Sequence, residues 1–482
     1  MHDAKIPILH AVLSHLQNSP TAFHVPGHKM GRGLPGEIGS WLGAAGRFDL
    51  TEVPGLDDLH APEEAILHAQ RLAARAFGAE ETFFLINGST AGNLAMISAA
   101  VKPGQAILVP RNLHKSALNG LILAQAEPIY FHPDLDEQFG IPTGVSVETI
   151  AKTIRQHPHA RAVLITSPTY HGICSDLRAI AEAVHDAGML LLVDEAHGAH
   201  FAFHEGLPAT AMEQGADIAV QSTHKTLGSL TQTSMLHVQG PRVDRVRLRK
   251  RLHLVQSTSP SYLFLASLDA ARHLMETEGR TRLEQAMRAV QAGKKRLQAS
   301  PHLHLLTEAG PYAIDPLKWT IRVTGLGRSG TDVYQDLHHH KKMTLELADP
   351  GNVLAVFTYA DETRQVERLV DALLSLEPSG PPLELRRAFA NVEAERMVPL
   401  RDAFERDAEA VPLKEAVGRA AAEMVIPYPP GVPLIVPGER WTAELADHVR
   451  SLKEAGARFQ GVEDVTLRTV QVLKDVEREN GN

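Results

Sequence analysis

The chain of 482 residues has a single cysteine, Cys174, and only 5% aromatic side chains. A lone thiol cannot close an intrachain disulfide, so the packed core must hold the fold, and a reducing compartment fits. No run reaches the roughly 18 apolar residues of a membrane-spanning helix. Residues 1–7 lack the apolar stretch of a secretory signal, so a cytoplasmic protein with no membrane partner is expected. Strong charge of either sign is missing too: 48 basic against 57 acidic residues leave a formal charge of −9. The most basic stretch, residues 242–251, has helical charge spacing and reads as a solvated helix face, so no nucleic-acid partner is expected. No Gly-x-x-x-x-Gly-Lys-Ser/Thr loop occurs anywhere. What is present is ordinary for a globular protein, 44% hydrophobic and 22% charged, in a length that suggests several domains.

Short apolar runs alternate with amphipathic helical stretches for more than two hundred residues, the pattern of an α/β fold with a mostly parallel sheet covered by helices. Strands are expected at 82–86, 106–109, 128–131, 162–166, 190–193 and 218–220. Helices are expected at 62–77, 92–100, 116–124, 147–156 and 177–187, the last with Asp176 as N-cap and Gly188 as its stop. One long helix is expected over 266–299, then a smaller mixed region, then the linker Ser379-Gly380-Pro381-Pro382. The expected division is an N-terminal segment 1–48, a large domain 49–275, a small α+β domain 276–378 and a C-terminal domain 379–482.

Chemistry-bearing residues collect where the strands end, which is where open parallel sheets bind ligands. Asn87-Gly88-Ser89-Thr90 opens a helix and offers amides and two hydroxyls to a phosphate. His114, after the second strand, can stack on a flat ring, and Thr169, in Ser167-Pro168-Thr169-Tyr170, can hydrogen-bond a ring hydroxyl. Asp194 closes the apolar run Leu190-Leu191-Leu192-Val193, and Lys225 follows in Ser222-Thr223-His224-Lys225. An acid at the exit of a buried strand and a later lysine are what pyridoxal 5'-phosphate needs. The lysine forms a Schiff base, and the acid keeps the pyridine nitrogen protonated so that the ring draws electrons from the substrate.

Three rival readings weaken. Asp194-Glu195-Ala196-His197 is spelled like a helicase magnesium motif, but the nucleotide loop is missing. His24 and His28, His197 and His200, and the run His338-His339-His340 invite a metal. Pro26-Gly27 breaks the helix the first pair would need, and no metal is expected. Gly325-Leu326-Gly327-Arg328-Ser329-Gly330 with Glu346 matches a dinucleotide fingerprint by spacing, yet no further βαβ units follow.

The blocks 23–29, 51–60, 87–93, 111–116, 168–172, 194–200, 222–227 and 257–262, with 428–433 and 437–439, resemble the bacterial Orn/Lys/Arg decarboxylases in order and spacing. The resemblance implies a fold-type-I pyridoxal phosphate-dependent transferase-like large domain. It implies a compact form without the N-terminal receiver-like domain of larger members. Residue by residue, Lys225 looks like the Schiff-base lysine and Asp194 like the partner of the pyridine nitrogen. His114 is similar to the imidazole stacked on the ring, and Ala196 to the small residue on its other face, with His197 in the same block. Ser89, Thr90, Ser222 and His224 resemble the phosphate ligands. Ser257 lies in a block that in relatives reaches the phosphate of the neighbouring subunit, implying a homodimer or higher homo-oligomer with shared sites. Glu346 is spaced like the acid that grips the substrate's distal cation, although the wording around Asp349 departs from the family and Asp349 is the other candidate.

The expected activity is decarboxylation of a basic amino acid, with arginine to agmatine and CO2, for polyamine synthesis, placed ahead of lysine and ornithine. Lys225, His224 or a water is the expected proton donor. Another fold-type-I reaction, such as transamination with Arg322 or Arg364 on the substrate carboxylate, is the second reading, and a paralogue without turnover is the third.

Overall fold

The structure is a computed structural model that describes residues 5–18, 21–384, 394–428, 431–454 and 456–474. Residues 1–4, and Pro429 and Pro430 of the C-terminal block, lie outside the described residues. Two compact units are formed, one from residues 1–100, 177–288 and 357–361, the other from residues 101–176, 289–356 and 362–482.

Seven strands position the candidate site: β1 (Glu81–Leu85), β2 (Ala106–Pro110), β3 (Glu127–Phe131), β4 (Ala162–Thr166), β5 (Leu190–Asp194), β6 (Ile218–Gln221) and β7 (Ser234–Val238). In the first unit the order is β1-β7-β6-β5; β5 and β6 run parallel, and β7 is antiparallel to both of its neighbours. In the second unit β2 lies between β3 and β4 and is parallel to each. Six of these strands match the expected ones to within a residue at either end. The seventh, β7, was not expected. His237 interrupts its apolar run, and only burial with hydrogen-bond partners makes an imidazole acceptable there.

The helices that matter are α1 (Gly88–Ala100), α2 (Lys115–Ala124), α3 (Leu177–Asp186), α4 (Thr223–Thr226) and α5 (Gly330–His339). Helix α1 follows β1 at once through Gly88, whose φ of +74° reverses the chain. It then packs hard on β6: a Cβ at Gly92 would sit 2.4 Å from Val220 Cγ2. Any side chain there must push the helix off the sheet, a disturbance that typically costs about 1–3 kcal/mol. The long helix expected over 266–299 is present in two α-helical parts, Tyr262–Leu274 and Arg280–Leu297, joined by a wider turn at Met275–Gly279.

In the second unit a four-stranded antiparallel sheet is built from His304–Leu305, Lys318–Arg322, Asn352–Val356 and Leu347–Ala348, in that order. Its glycines explain the dinucleotide-like spacing without a nucleotide. A Cβ at Gly325 would lie 2.5 Å from the His302 carbonyl, one at Gly327 2.7 Å from that of Gly380, and one at Gly330 2.2 Å from those of Asp349 and Asn352. Ser329 and Asp332 close a capping box over the first turn of α5, so its leading amides are already occupied.

Beneath the strand ends of the first unit runs a buried polar chain. Thr82 on β1 donates to His237 Nδ1 (2.8 Å), and His237 Nε2 donates to Gln221 Oε1 (3.1 Å). Gln221 Nε2 donates to Glu195 Oε2 (2.8 Å), and the Ala211 amide donates to Glu195 Oε1 (2.8 Å). Burial holds His237 neutral, with its pKa lowered to about 3. Burial is also the main reason that Glu195 is pushed up to about 8, against its two hydrogen bonds and with a smaller contribution from Glu213. A carboxyl raised from 4.5 toward 8 keeps its proton in the folded chain where the unfolded chain has lost it. Its contribution to stability is therefore complete below the unfolded pKa and lost as pH rises through the folded one. Glu195→Gln cannot titrate, so the stability of the wild type relative to this variant, from urea denaturation, is expected to fall between pH 5 and pH 8 and level off above. A difference that stays constant with pH would show that Glu195 is ionised throughout.

Candidate active site

In the first unit the site grows from the ends of β5 and β6. Strand β5 is apolar until its last residue, Asp194, which is buried with Leu191, Leu192 and Val193 and only 4% exposed. A carboxylate in that position needs donors. Asn93 Nδ2, one turn into α1, donates to Oδ2 (2.9 Å), and the Ala196 amide donates to Oδ1 (3.2 Å). Ala196 is itself buried beside it. Strand β6 ends at Gln221, and buried Ser222 starts the single turn of α4 that carries His224 and Lys225. The Lys225 amide donates to the Ser222 carbonyl (3.0 Å), which closes that turn.

Lys225 Nζ lies 3.1 Å from Nε2 of buried His197. An ammonium only donates, so Nε2 is the acceptor and the imidazole proton sits on Nδ1. His224 Nδ1 donates to the Thr233 carbonyl (2.7 Å), which leaves Nε2 as its acceptor nitrogen. Burial lowers the His224 pKa, the nearby Lys225 charge lowers it further, and the bond to Thr233 opposes both. Ser222 Oγ donates to Ser89 Oγ (2.8 Å), so two hydroxyls meet at the N-terminus of α1, where amide dipoles favour an anion. Thr90, next to Ser89, is exposed. The first unit thus brings together Ser89, Asp194, Ala196, His197, Ser222, His224 and Lys225.

Ser257 of the same unit is exposed. Its amide donates to Asn87 Oδ1 (3.0 Å), its Oγ accepts from the Ser259 amide (3.2 Å), and its carbonyl bonds His60 Nε2 (2.9 Å). These contacts tie the 257–259 loop to the turn before α1.

In the second unit His114 is the N-cap of α2, its Nδ1 accepting from the Ser116 amide (3.2 Å) and lying 2.7 Å from Ser116 Oγ. The cap sets the orientation of the ring. Thr169 is buried in the turn after β4, where its Oγ1 accepts from the Ile173 amide (3.3 Å) and keeps its own hydrogen to give. Asp349 and Glu346 part company. Asp349 is buried, and its carboxylate accepts from the Gly351 amide (2.7 Å), the Asn352 amide (2.8 Å) and Asn352 Nδ2 (2.9 Å). Burial nevertheless raises its pKa. Glu346 is exposed, on the residue before the edge strand Leu347–Ala348.

Among the described residues no group of three or more His, Cys, Asp or Glu is arranged to hold a metal ion. The histidines that invited one have other partners: His28 with Asp49 (3.2 Å), His338 with Thr344 (3.0 Å) and His340 with Asp336 (2.8 Å). No helix among the described residues is long and apolar enough to cross a membrane. Sequence reasoning did not assign Asn93 or Glu195. Asn93 stands four residues after Ser89 and so shares its helix face, a signal that was available. Glu195 gave none, since an acid beside an acid reads as solvent-facing.

Residues 6–365 match the major domain of the Orn/Lys/Arg decarboxylases, and residues 384–475 match their C-terminal domain. The chain is 38% identical to an arginine decarboxylase of Bacillus subtilis (strain 168), over 98% of this chain and 99% of that one. It is also 38% identical to an arginine decarboxylase of Halalkalibacterium halodurans, covering 98% of each. Among solved structures, a lysine decarboxylase from Pseudomonas aeruginosa superposes with a TM-score of 0.81 at 26% identity, over 97% of this chain and 80% of that one. The architecture of two sheets, the succession of strand-end residues and these matches over nearly the whole length agree: the chain belongs to the Orn/Lys/Arg decarboxylase family.

Proposed function

We propose that the protein decarboxylates arginine to agmatine and CO2 with pyridoxal 5'-phosphate as its cofactor. The observation that carries this reading is the buried Asp194 carboxylate, fixed by Asn93 and Ala196, in the same unit as Lys225 and the paired hydroxyls of Ser89 and Ser222. That donor set fits the cofactor's chemistry: a carboxylate for a ring nitrogen, a primary amine for an aldehyde, and hydroxyls with a helix N-terminus for a phosphate. The preference for arginine rests on the two relatives named arginine decarboxylase at 38% identity. When bound, pyridoxal phosphate supplies an acceptor for the electron pair left behind as CO2 departs.

The chain's own residues do the rest. Asp194 would keep a proton on the ring nitrogen of the bound cofactor, because a negative charge beside that atom favours its protonated form. Lys225 is the attachment point. His197 Nε2, already an acceptor for the Lys225 ammonium, can relieve that amine of a proton so that it becomes nucleophilic. After CO2 leaves, Lys225 or His224 returns a proton to the substrate carbon. Ser89, Thr90, Ser222 and His224 would hold the phosphate and Ala196 would pack on the ring; in the second unit the family resemblance gives His114 the role of a ring contact and Thr169 that of a donor to the ring hydroxyl. Glu346 is favoured over Asp349 for the distal cation, since the Asp349 oxygens already brace their own turn. The planar guanidinium suits a carboxylate there. Ser257, exposed beside the phosphate turn, is offered to a second copy, giving a cytoplasmic homodimer with shared sites that supplies agmatine for polyamine synthesis.

The full-length protein incubated with pyridoxal phosphate is expected to show a visible absorbance band that borohydride removes and that Lys225→Ala lacks; a band unchanged in that variant would sink the assignment. Asp194→Ala should lower kcat at least about 10²-fold, as losses of charge stabilisation in a buried site do, and a near-normal kcat would contradict its role. CO2 release measured over arginine, lysine and ornithine should be fastest with arginine, and silence on all three would turn attention to other fold-type-I reactions. Glu346→Gln should raise KM for arginine with little change in melting temperature, whereas Asp349→Asn should lower the melting temperature, and the reverse pattern would exchange their roles.

A further inference from the structure

The C-terminal domain reaches back to the loop between β2 and α2, the loop that carries His114. Arg111, the first residue after β2, is buried and makes a two-pronged pair with buried Glu439: Nη1 to Oε1 at 2.5 Å and Nη2 to Oε2 at 2.8 Å. Nη2 also donates to the Leu434 carbonyl (2.8 Å), and the guanidinium stands 4.9 Å from the centre of the Tyr130 ring on β3. Glu439 is held in turn by the Val436 amide (3.0 Å). On the other side of His114, Lys115 Nζ donates to Gln460 Oε1 (2.7 Å), in the C-terminal strand Arg458–Gln460. The domain therefore grips the loop twice, three residues before the imidazole and one residue after it.

We propose that Glu439 is a positioning residue for the cofactor, acting through Arg111 to fix the loop that presents His114, with Gln460 as a second tether through Lys115. The inference rests on the reading of His114 as a ring contact given above. The physical reason is stiffness. The Arg111 amide donates to the Phe131 carbonyl (2.8 Å) while its side chain is bolted to Glu439, so backbone and guanidinium are both immobilised. Asn112 and Leu113, the two residues between Arg111 and His114, are themselves buried. The His114 ring is then turned by its cap on α2. Little slack remains between the ion pair and the imidazole. A pair serving only to hold the C-terminal domain together would join residues of that domain, as Arg419 and Glu409 do at 2.6 Å. Arg111–Glu439 instead spends its second partner on the exit of β2. Removing one member of a buried, bidentate pair leaves the other charge uncompensated, so the loop is expected to shift rather than keep its position.

The test is cofactor affinity, read without turnover. Full-length protein stripped of cofactor is titrated with pyridoxal phosphate, following absorbance and the circular dichroism of the bound chromophore, which reports how rigidly the ring is held. Glu439→Gln is expected to raise Kd about tenfold or more and to weaken the dichroic band, in line with the cost of small misplacements in a binding site. Gln460→Ala, a change at a half-buried residue, is expected to do the same to a smaller degree and keeps the test open should Glu439→Gln not fold. Arg419→Ala, which removes the bonds of that guanidinium to Glu409 and to the Leu473 carbonyl, is expected to lower the melting temperature and leave Kd alone. Wild-type Kd and dichroism in either folded tether variant, or an equal rise in Arg419→Ala, would overturn the proposal. If those variants bind normally while the wild type gives the borohydride-sensitive band, positioning alone has failed. If the wild type itself binds no pyridoxal phosphate, the reading beneath it has failed as well.

Discussion

A carboxylate at the end of a strand with no solvent on either face is the constraint from which the first unit is built. Apolar β5 has to run its full length inside the sheet, and Asp194 must be charged to be of use, so donors have to be brought to it. Helix α1 brings Asn93, and it can do so only by lying against β6 where Gly92 has no side chain. The same approach sets the N-terminus of α1 beside Ser222, so the hydroxyl pair follows from the packing that serves the acid. One close contact between helix and sheet thus determines the placing of two sets of polar groups.

Adjacent acids in this chain meet opposite fates, and strand alternation is the reason. Asp194 receives a side-chain amide and a backbone amide, while Glu195 faces the other way into the chain of Gln221, His237 and Thr82. Burial pushes the Glu195 carboxyl up to about 8, so that it holds its proton near neutral pH.

Much of this was legible beforehand, and the reasons are local. Strands such as β4 and β6 are short apolar runs ended by polar residues, and the end of α3 is marked by Gly188, so each could be read within a few residues. Lys225, Asp194 and Ser89 stood out because they gather at successive strand exits, where open parallel sheets bind their ligands. What stayed hidden depends on partners far away in the chain. Strand β7 contains His237, whose acceptability rests on Thr82 and Gln221. Glu439 gains its meaning from Arg111, more than three hundred residues earlier. The spacing of Gly325, Gly327 and Gly330 suggested a nucleotide, when each glycine answers to a carbonyl from elsewhere in its unit.

Helix α4 is a single turn, Thr223–Thr226, closed at one end by the Ser222 carbonyl and followed at once by extended Leu227. On so short an element, direction is set by count rather than by propensity. One residue added between Ser222 and Lys225 would rotate the amine by about 100° around the axis, away from His197. The length of that segment is therefore fixed far more strictly than its composition, and natural or engineered insertions should cluster everywhere but there.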